Sequence, residues 1–217
     1  MGRSPKGDRP LTILLGRNMN VVVLHGSARK GGDSDTLADR FLAGLRETGT
    51  CEVEHFYAID MSVAHCRGCG ACSAGRCVVD DDMQRVYPAF SRADVVVLAA
   101  PMFWGYMTSQ LKTVFDRLEA VASPKHFGGK DFVVFVTYRH YFGSTVEWLQ
   151  RITSAFGSRL HAMTCRTYDP ETERDIPIGE FPDRLEEARR LGRAIGGARS
   201  AEPSPCRAAS AGARKTE

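Results

Sequence analysis

The chain has 217 residues, 43% hydrophobic and 25% charged, with a formal net charge of +3. That length suits one domain with a substantial core, and the composition excludes disorder throughout. The basic excess sits at the ends: residues 19–196 carry 21 basic and 23 acidic side chains. The body therefore lacks the basic face of a nucleic-acid binder, and no apolar run approaches the ~18 to 20 residues of a membrane span.

The opening segment "MGRSPKGDRPLTILLGRN" (1–18) mixes proline, glycine and scattered charge, and a second methionine, Met19, stands directly before the first strand pattern. It reads as a disordered arm, or as the product of an upstream start. "LTILL" is too short for a signal-peptide core and lacks a small-residue cleavage site, which implies a cytoplasmic protein. The end, 197–217, is rich in Ala, Ser and Pro without periodicity and reads as a disordered tail.

Between the ends, apolar runs alternate with helical patterns. "NVVVLH" (20–25) is the β-branched run of a strand buried on both faces. Residues 34–48 place Leu37, Phe41 and Leu45 at helical spacing behind a Ser or Asp cap. Strands are predicted over 51–57, 94–100, 131–138 and 159–168. Helices are predicted over 81–93, where Pro88 kinks the helix or lies in its first turns, and over 109–121, 144–156 and 182–196. Five strands alternating with five helices predict an α/β fold, a doubly wound parallel sheet in three layers. Such sheets bind ligands beyond the carboxyl ends of their strands, where strand order reverses. The loops to search begin at Gly26, Ala58, Pro101, Tyr138 and Asp169.

The first loop, "HGSARKGGDSDT" (25–36), offers glycines, the hydroxyls of Ser27, Ser34 and Thr36, and the cation Arg29 ahead of a helix N-terminus. A phosphate is its natural guest. It is neither a Walker loop nor a G-x-G-x-x-G fingerprint. The loop "APMFWGYMTSQLKTVFDR" (100–117) sets Pro101, Met102, Phe103, Trp104, Gly105, Tyr106 and Met107 just after a buried strand. A flat heterocycle could lie there, and packing on a neighbouring helix or subunit is the competing reading.

In "CRGCGACSAGRC" (66–77), Cys66, Cys69, Cys72 and Cys77 fall within one compact loop, whereas zinc sites usually pair cysteines across a longer gap. Cys-x2-Cys-x2-Cys is the spacing that wraps a cubane cluster in bacterial ferredoxins, and Cys77 would complete the ligand set. A [4Fe–4S] cluster ranks ahead of free thiols, and zinc or a Cys69–Cys72 disulfide ranks behind both. His25 reads as a packed or capped histidine, and four cysteines leave His65 no vacancy as a ligand. Asp80, Asp81 and Asp82 read as a helix start, and Cys165 as a small buried apolar residue.

The segments "GSARKGGDSDTL", "CRGCGACSAGRCVVDDDM" and "APMFWGYMTSQLKTVFDR", in that order, resemble the NADPH-dependent FMN reductase superfamily and within it the iron–sulfur flavoproteins. The resemblance covers about residues 19–196 and implies a flavodoxin-like FMN-binding domain with strand order 2-1-3-4-5 and a cluster loop at 65–79. It places the FMN phosphate at Ser27, Arg29, Ser34 and Thr36, and the isoalloxazine ring at Pro101, Met102, Phe103, Trp104 and Gly105. The third flavin-contact loop falls at "TYRHYFG" (137–143), where Tyr138, Arg139 and His140 replace the family's early glycines. Asp33 stands where asparagine is common, and a carboxylate beside a phosphate must face away or pair with Arg29 or Lys30.

These readings converge on a flavin-dependent oxidoreductase passing electrons between a [4Fe–4S] cluster and FMN to a small acceptor such as a quinone, peroxide or oxygen. The donor is expected to be ferredoxin-like; no protein acid or base is compelled, so no catalytic residue is named. The alternatives are a cluster-free reductase fed by NADPH or NADH, and a non-enzymatic redox carrier or sensor. An exposed patch of Phe103, Trp104, Tyr106 and Met107 is too apolar for a monomer and predicts a homo-oligomer, a dimer or tetramer as the resemblance also implies.

Overall fold

The computed structural model describes residues 18–201. Five strands form the parallel sheet: β1 (Met19–His25), β2 (Cys51–Tyr57), β3 (Val95–Phe103), β4 (Asp131–Tyr138) and β5 (Arg159–Arg166). Their order across the sheet is β2-β1-β3-β4-β5, the flavodoxin-like order expected. Five helices alternate with them: α1 (Asp33–Arg46), α2 (Met83–Arg92), α3 (Ser109–Arg117), α4 (Thr145–Ala155) and α5 (Pro182–Ala201).

The helices cover both faces, so the core divides in two. Beneath α1 and α5 lie Val21, Val23, Leu37, Phe41, Val97 and Phe135; beneath α2, α3 and α4 lie Val22, Leu24, Phe90, Val96, Leu111 and Leu149. Alternate residues of β1 and β3 thus point to opposite cores, which is why these strands read as unbroken apolar runs. The flanking strand β2 carries alternating acids, Glu52 and Glu54, that reach solvent. On the α1 side the two helices approach closely. A Cβ at Gly192 would stand 2.1 Å from the Phe41 carbonyl oxygen, so any larger residue there would push α5 off α1.

Two boundaries differ from the sequence reading, and the place of Pro88 is resolved. Strand β3 runs on through Phe103 and folds back through Tyr106–Met107, an antiparallel hairpin that pairs Met102 with Met107. Pro88 lies inside α2, in its second turn, where it is surface-exposed and water can satisfy the freed carbonyl. Helix α5 continues to Ala201, so residues 197–201, expected to open a tail, are helical: Arg199 is buried there and bound to Asp131. The arm and the rest of the tail, residues 1–17 and 202–217, lie outside the described residues.

Candidate functional site

Strand order reverses between β1 and β3, which are parallel neighbours in the sheet. In sheets of this order ligands bind beyond the carboxyl ends of the two strands, between the loops that follow them. The two loops are tied together: Thr108 Oγ1 donates to the Gly26 carbonyl at 2.7 Å and accepts the Leu111 N–H as the cap of α3.

The first loop is preorganised. Ser27 Oγ donates to the Arg29 carbonyl at 2.8 Å and accepts the Arg29 N–H at 3.1 Å, a compact hydroxyl turn. Thr36 Oγ1 donates to the Gly32 carbonyl, Ser34 is buried, and Arg29 projects into solvent. No side chain caps α1 at Gly32. Both carboxylates of the first turn are occupied elsewhere: Asp33 Oδ1 accepts the Ile178 N–H, and Asp35 Oδ2 accepts the Gly31 N–H. Both carboxylates are thus engaged by backbone N–H groups, and the side-chain-uncapped start of α1 stands beside Arg29, which suits a phosphate. Lys30 pairs with Asp60 instead of Asp33.

His25 closes the base of this loop. Its Nδ1 donates to Asp35 Oδ1 at 2.8 Å, its Nε2 lies 2.9 Å from His55 Nδ1, and Tyr57 stacks on its ring. Burial, aided by His25, holds His55 below its ordinary pKa, so His55 favours its neutral form and can donate to His25. The histidine expected to be packed or capped is both.

The third loop presents an aromatic wall. Its hairpin turns at Trp104 (φ +52°) and Gly105 (φ +74°), two left-handed residues in a row, which a tryptophan adopts only at a cost of roughly 1–2 kcal/mol. Trp104 is fully exposed, and Phe103 and Tyr141 are mostly so. Tyr141 lies over Gly105, whose Cβ, if present, would fall 2.5 Å from the Tyr141 ring. Pro101 is half-buried. Met102 is buried, with Thr145 Oγ1 donating to its sulfur, so it supports the wall from below. The exposed patch needs correcting. Met107 faces the core with its hairpin partner Met102, and Tyr106 packs against Trp148; Tyr141 joins Phe103 and Trp104 instead.

The fourth loop departs from glycine for a structural reason. Tyr138 packs on Phe142, Arg139 pairs with Asp175 and lies over Tyr168, and His140 meets Tyr168 edge-on. These residues hold down a small hairpin, Tyr168–Asp169 with Arg174–Asp175.

The cysteine loop turns through Gly68, Gly70 and Gly75, all with positive φ. Cys66 and Cys69 are exposed; Cys72 and Cys77 are half-buried against the core. None of the four is in a disulfide, and among the described residues no three or more Cys, His, Asp or Glu side chains are gathered in metal-holding geometry. The neck of the loop is tightly bound. Asp82 accepts the Ser62 N–H; Asp81 accepts the N–H groups of Ala64 and Met83 and forms a two-bond ion pair with buried Arg117 of α3. Arg117 also donates to the Ala64 carbonyl at 2.7 Å and to Cys77 Sγ at 3.4 Å.

Burial works against the charges of this neck, but the partners win. Arg117 is held above and Asp81 below its ordinary pKa, each by the other. Burial likewise raises the Cys77 thiol, yet the Val79 backbone, Tyr87 and Arg117 together bring it below its usual value. Burial pushes the Tyr87 phenol up to about 12. Two polar atoms here are buried without a hydrogen-bond partner, Tyr87 Oη and Arg117 Nε. Four thiols with spare buried donors beside them are a donor set chemically suited to an iron–sulfur cluster. The acids expected to start a helix stand just before it: α2 begins at Met83, whose N–H Asp81 accepts, and Asp81 also serves as the Arg117 partner. Arg117 and Tyr87 were missed by sequence reasoning. Arg117 stands three residues after Val114 on the buried stripe of α3, and a cation in such a stripe is the signal that marks it.

The family model for NADPH-dependent FMN reductase matches residues 19–168, and the chain belongs to that family. It is similar to an iron–sulfur flavoprotein of Methanosarcina thermophila, 36% identical over 100 residues, 46% of this chain and 52% of that relative. The chain thus spans about half the length of such a relative. Among solved structures, an NAD(P)H:quinone oxidoreductase from Methanothermobacter marburgensis superposes with a TM-score of 0.59 at 20% identity, covering 82% of this chain and 98% of that one. A flavodoxin from the domain Archaea gives 0.51 at 14% identity, over 83% and 99% of the two chains. These likenesses bear on the fold, which is flavodoxin-like.

Proposed function

We propose that the chain is an FMN-dependent oxidoreductase that relays electrons between a [4Fe–4S] cluster in the cysteine loop and FMN at the carboxyl edge of the sheet. The observation that carries this reading is the tie between the first and third loops through Thr108 and Gly26. It ties the loop ahead of a helix N-terminus without a side-chain cap to the loop that carries an exposed aromatic wall. An anionic group fits the first and a flat ring the second.

In this reading Ser27, Arg29, Ser34 and Thr36 hold the phosphate, with Arg29 supplying the cation and the α1 backbone the N–H donors. Pro101, Phe103, Trp104 and Gly105 line the ring, Met102 supports them, and Tyr138 borders the far side. Cys66, Cys69, Cys72 and Cys77 are the metal ligands. Bound flavin and cluster together supply exchange between one- and two-electron steps; the chain binds them, orients them and shields them from water.

The electron donor is a ferredoxin-like protein or NAD(P)H, and the acceptor is a small quinone, peroxide or oxygen. Fully exposed Trp104 beside Phe103 and Tyr141 supports a homo-oligomer, a dimer or tetramer in which a neighbouring chain covers the ring. Among the described residues no helix is long and apolar enough to cross a membrane.

The test is retention of flavin after Ser27→Ala and Arg29→Ala are combined. Each charge-assisted bond to phosphate contributes about 1.5–3 kcal/mol, so the double variant should lose FMN on gel filtration that the parent keeps. Equal retention would misplace the phosphate loop. Steady NADPH turnover by anaerobically purified protein without iron would favour the cluster-free reductase. Reversible reduction without turnover by any donor would favour a carrier.

A further inference from the structure

We infer that Arg117 locks the neck of the cysteine loop and, with Tyr87, supplies the hydrogen-bond donors that orient sulfur at Cys77 and set the potential of the metal group held there.

The argument starts from burial. Arg117 is only 2% exposed, and its guanidinium reaches three segments at once: Ala64 just before the loop, Asp81 just after it, and Cys77 within it. A single side chain on α3 therefore closes the loop at both ends, and the Asp81 carboxylate reinforces the closure by accepting the Ala64 N–H at 3.0 Å. Planar geometry suits this: two Nη atoms serve Asp81 side by side and still reach a carbonyl and a sulfur, which a lysine ammonium could not do.

Chain ordering alone leaves two features unexplained. Arg117 Nε and Tyr87 Oη are buried without a well-formed hydrogen bond, next to each other and to Cys77, an arrangement that costs about 1–3 kcal/mol for each group and is rare without a purpose. Tyr87 is 9% exposed on α2 and faces the same Cys77 that Arg117 contacts. Among the described residues Arg117 pairs with the Asp81 carboxylate, and its Nη2 also donates to Cys77 Sγ. Donors aimed at thiolate or sulfide stabilise the more negative, reduced state and raise a cluster's potential. Arg117 and Tyr87 are positioning residues in this account: each acts through Cys77.

This inference rests on the cluster reading for the potential, and stands apart from it for the lock. The experiment uses anaerobically purified full-length Arg117→Lys, Arg117→Met and Tyr87→Phe chains beside the parent, all with FMN content measured. Limited trypsin digestion is followed at the exposed Arg67 and Arg76 within the loop. Both Arg117 variants should be cut there at least tenfold faster than the parent while retaining flavin; unchanged cleavage would overturn the lock. Tyr87→Phe should leave cleavage and iron content as in the parent, yet shift the midpoint potential, read by titration of the paramagnetic signal, to more negative values. An unchanged potential would overturn the donor role. A purely structural effect would move cleavage and iron together and leave the potential of the remaining cluster unmoved. Should Arg117→Met fail to fold, Arg117→Lys and Tyr87→Phe carry the decision. A parent chain without iron would remove the cluster reading and the donor role with it, while the cleavage rates would still decide the lock.

Discussion

Asp33 Oδ1 accepts the backbone N–H of Ile178 at 2.9 Å, across 145 residues of sequence. That one bond turns a carboxylate away from the crevice where a phosphate would sit, and it fastens the start of α1 to the segment leading into α5. The acid that looks misplaced in a phosphate loop is a structural anchor. Asp33→Asn keeps an oxygen acceptor for Ile178, so flavin affinity should stay within about twofold of the parent. Asp33→Ala leaves a partly buried N–H without its partner and should cost about 1–2 kcal/mol in urea unfolding.

Trp104 tests whether the third loop is built for a ligand. Its left-handed backbone costs stability and its side chain, fully exposed, returns none through packing. Trp104→Gly should therefore leave the melting temperature of the flavin-free protein unchanged or higher. Flavin affinity should fall about tenfold, equivalent to roughly 1.4 kcal/mol of lost stacking. A variant that loses stability and keeps its affinity would assign Trp104 to the fold.

Much of this architecture was legible in the chain. Leu37, Phe41 and Leu45 stand at helical spacing and all three are fully buried on α1, since burial of one stripe is what that spacing permits. The crevice was legible for the same reason: a Gly- and Ser-rich loop and an aromatic loop each follow an unbroken β-branched strand. The neck of the cysteine loop was not. Arg117, Asp81 and Tyr87 lie on α3, before α2 and on α2, and no local pattern records that a cation from one helix will meet an acid from another segment 36 residues away. Nor could the pairing of Arg139 with Asp175 be read, because it depends on a short hairpin formed by loop residues.

Asp131 predicts the acid limit of the fold. Burial raises its pKa, but Arg159, His161 and Arg199 bind it and hold it well below the usual carboxylate range. The folded value being the lower one, its contribution is complete above the ordinary carboxylate pKa and is lost as pH falls through the folded value. Asp131→Asn leaves Arg199 with only the longer pair to Asp94 and the Gly129 carbonyl, and should cost about 3 kcal/mol at pH 7. Its unfolding free energy should also fall less steeply than the parent's below about pH 4.

Lys130 acts in the opposite direction. Its ammonium is buried, donating to the Ser91 and Ala93 carbonyls, and burial lowers its pKa to about 8. Between that value and its unfolded value near 10.5 the unfolded chain binds the extra proton, so the parent gains stability as pH rises. The difference in unfolding free energy between the parent and Lys130→Met should grow in the parent's favour by roughly 1–3 kcal/mol from pH 7.5 to pH 10. A difference that stays constant would mean the lysine is solvated.

Assembly follows from the aromatic wall. Light scattering at micromolar concentration should give a dimer or tetramer, and Phe103→Ser with Trp104→Ser should shift it toward smaller species. A monomeric parent would mean that flavin alone, or nothing, covers Phe103, Trp104 and Tyr141.

The central claim is that one chain holds both a flavin and a cluster. Protein purified without oxygen, denatured and assayed for flavin, iron and acid-labile sulfide, measures it directly. The account predicts about one FMN and about four iron and four sulfide per chain, with the iron lost and the flavin kept in Cys69→Ser. Iron and sulfide absent from the parent, or flavin absent from a folded parent, would contradict it.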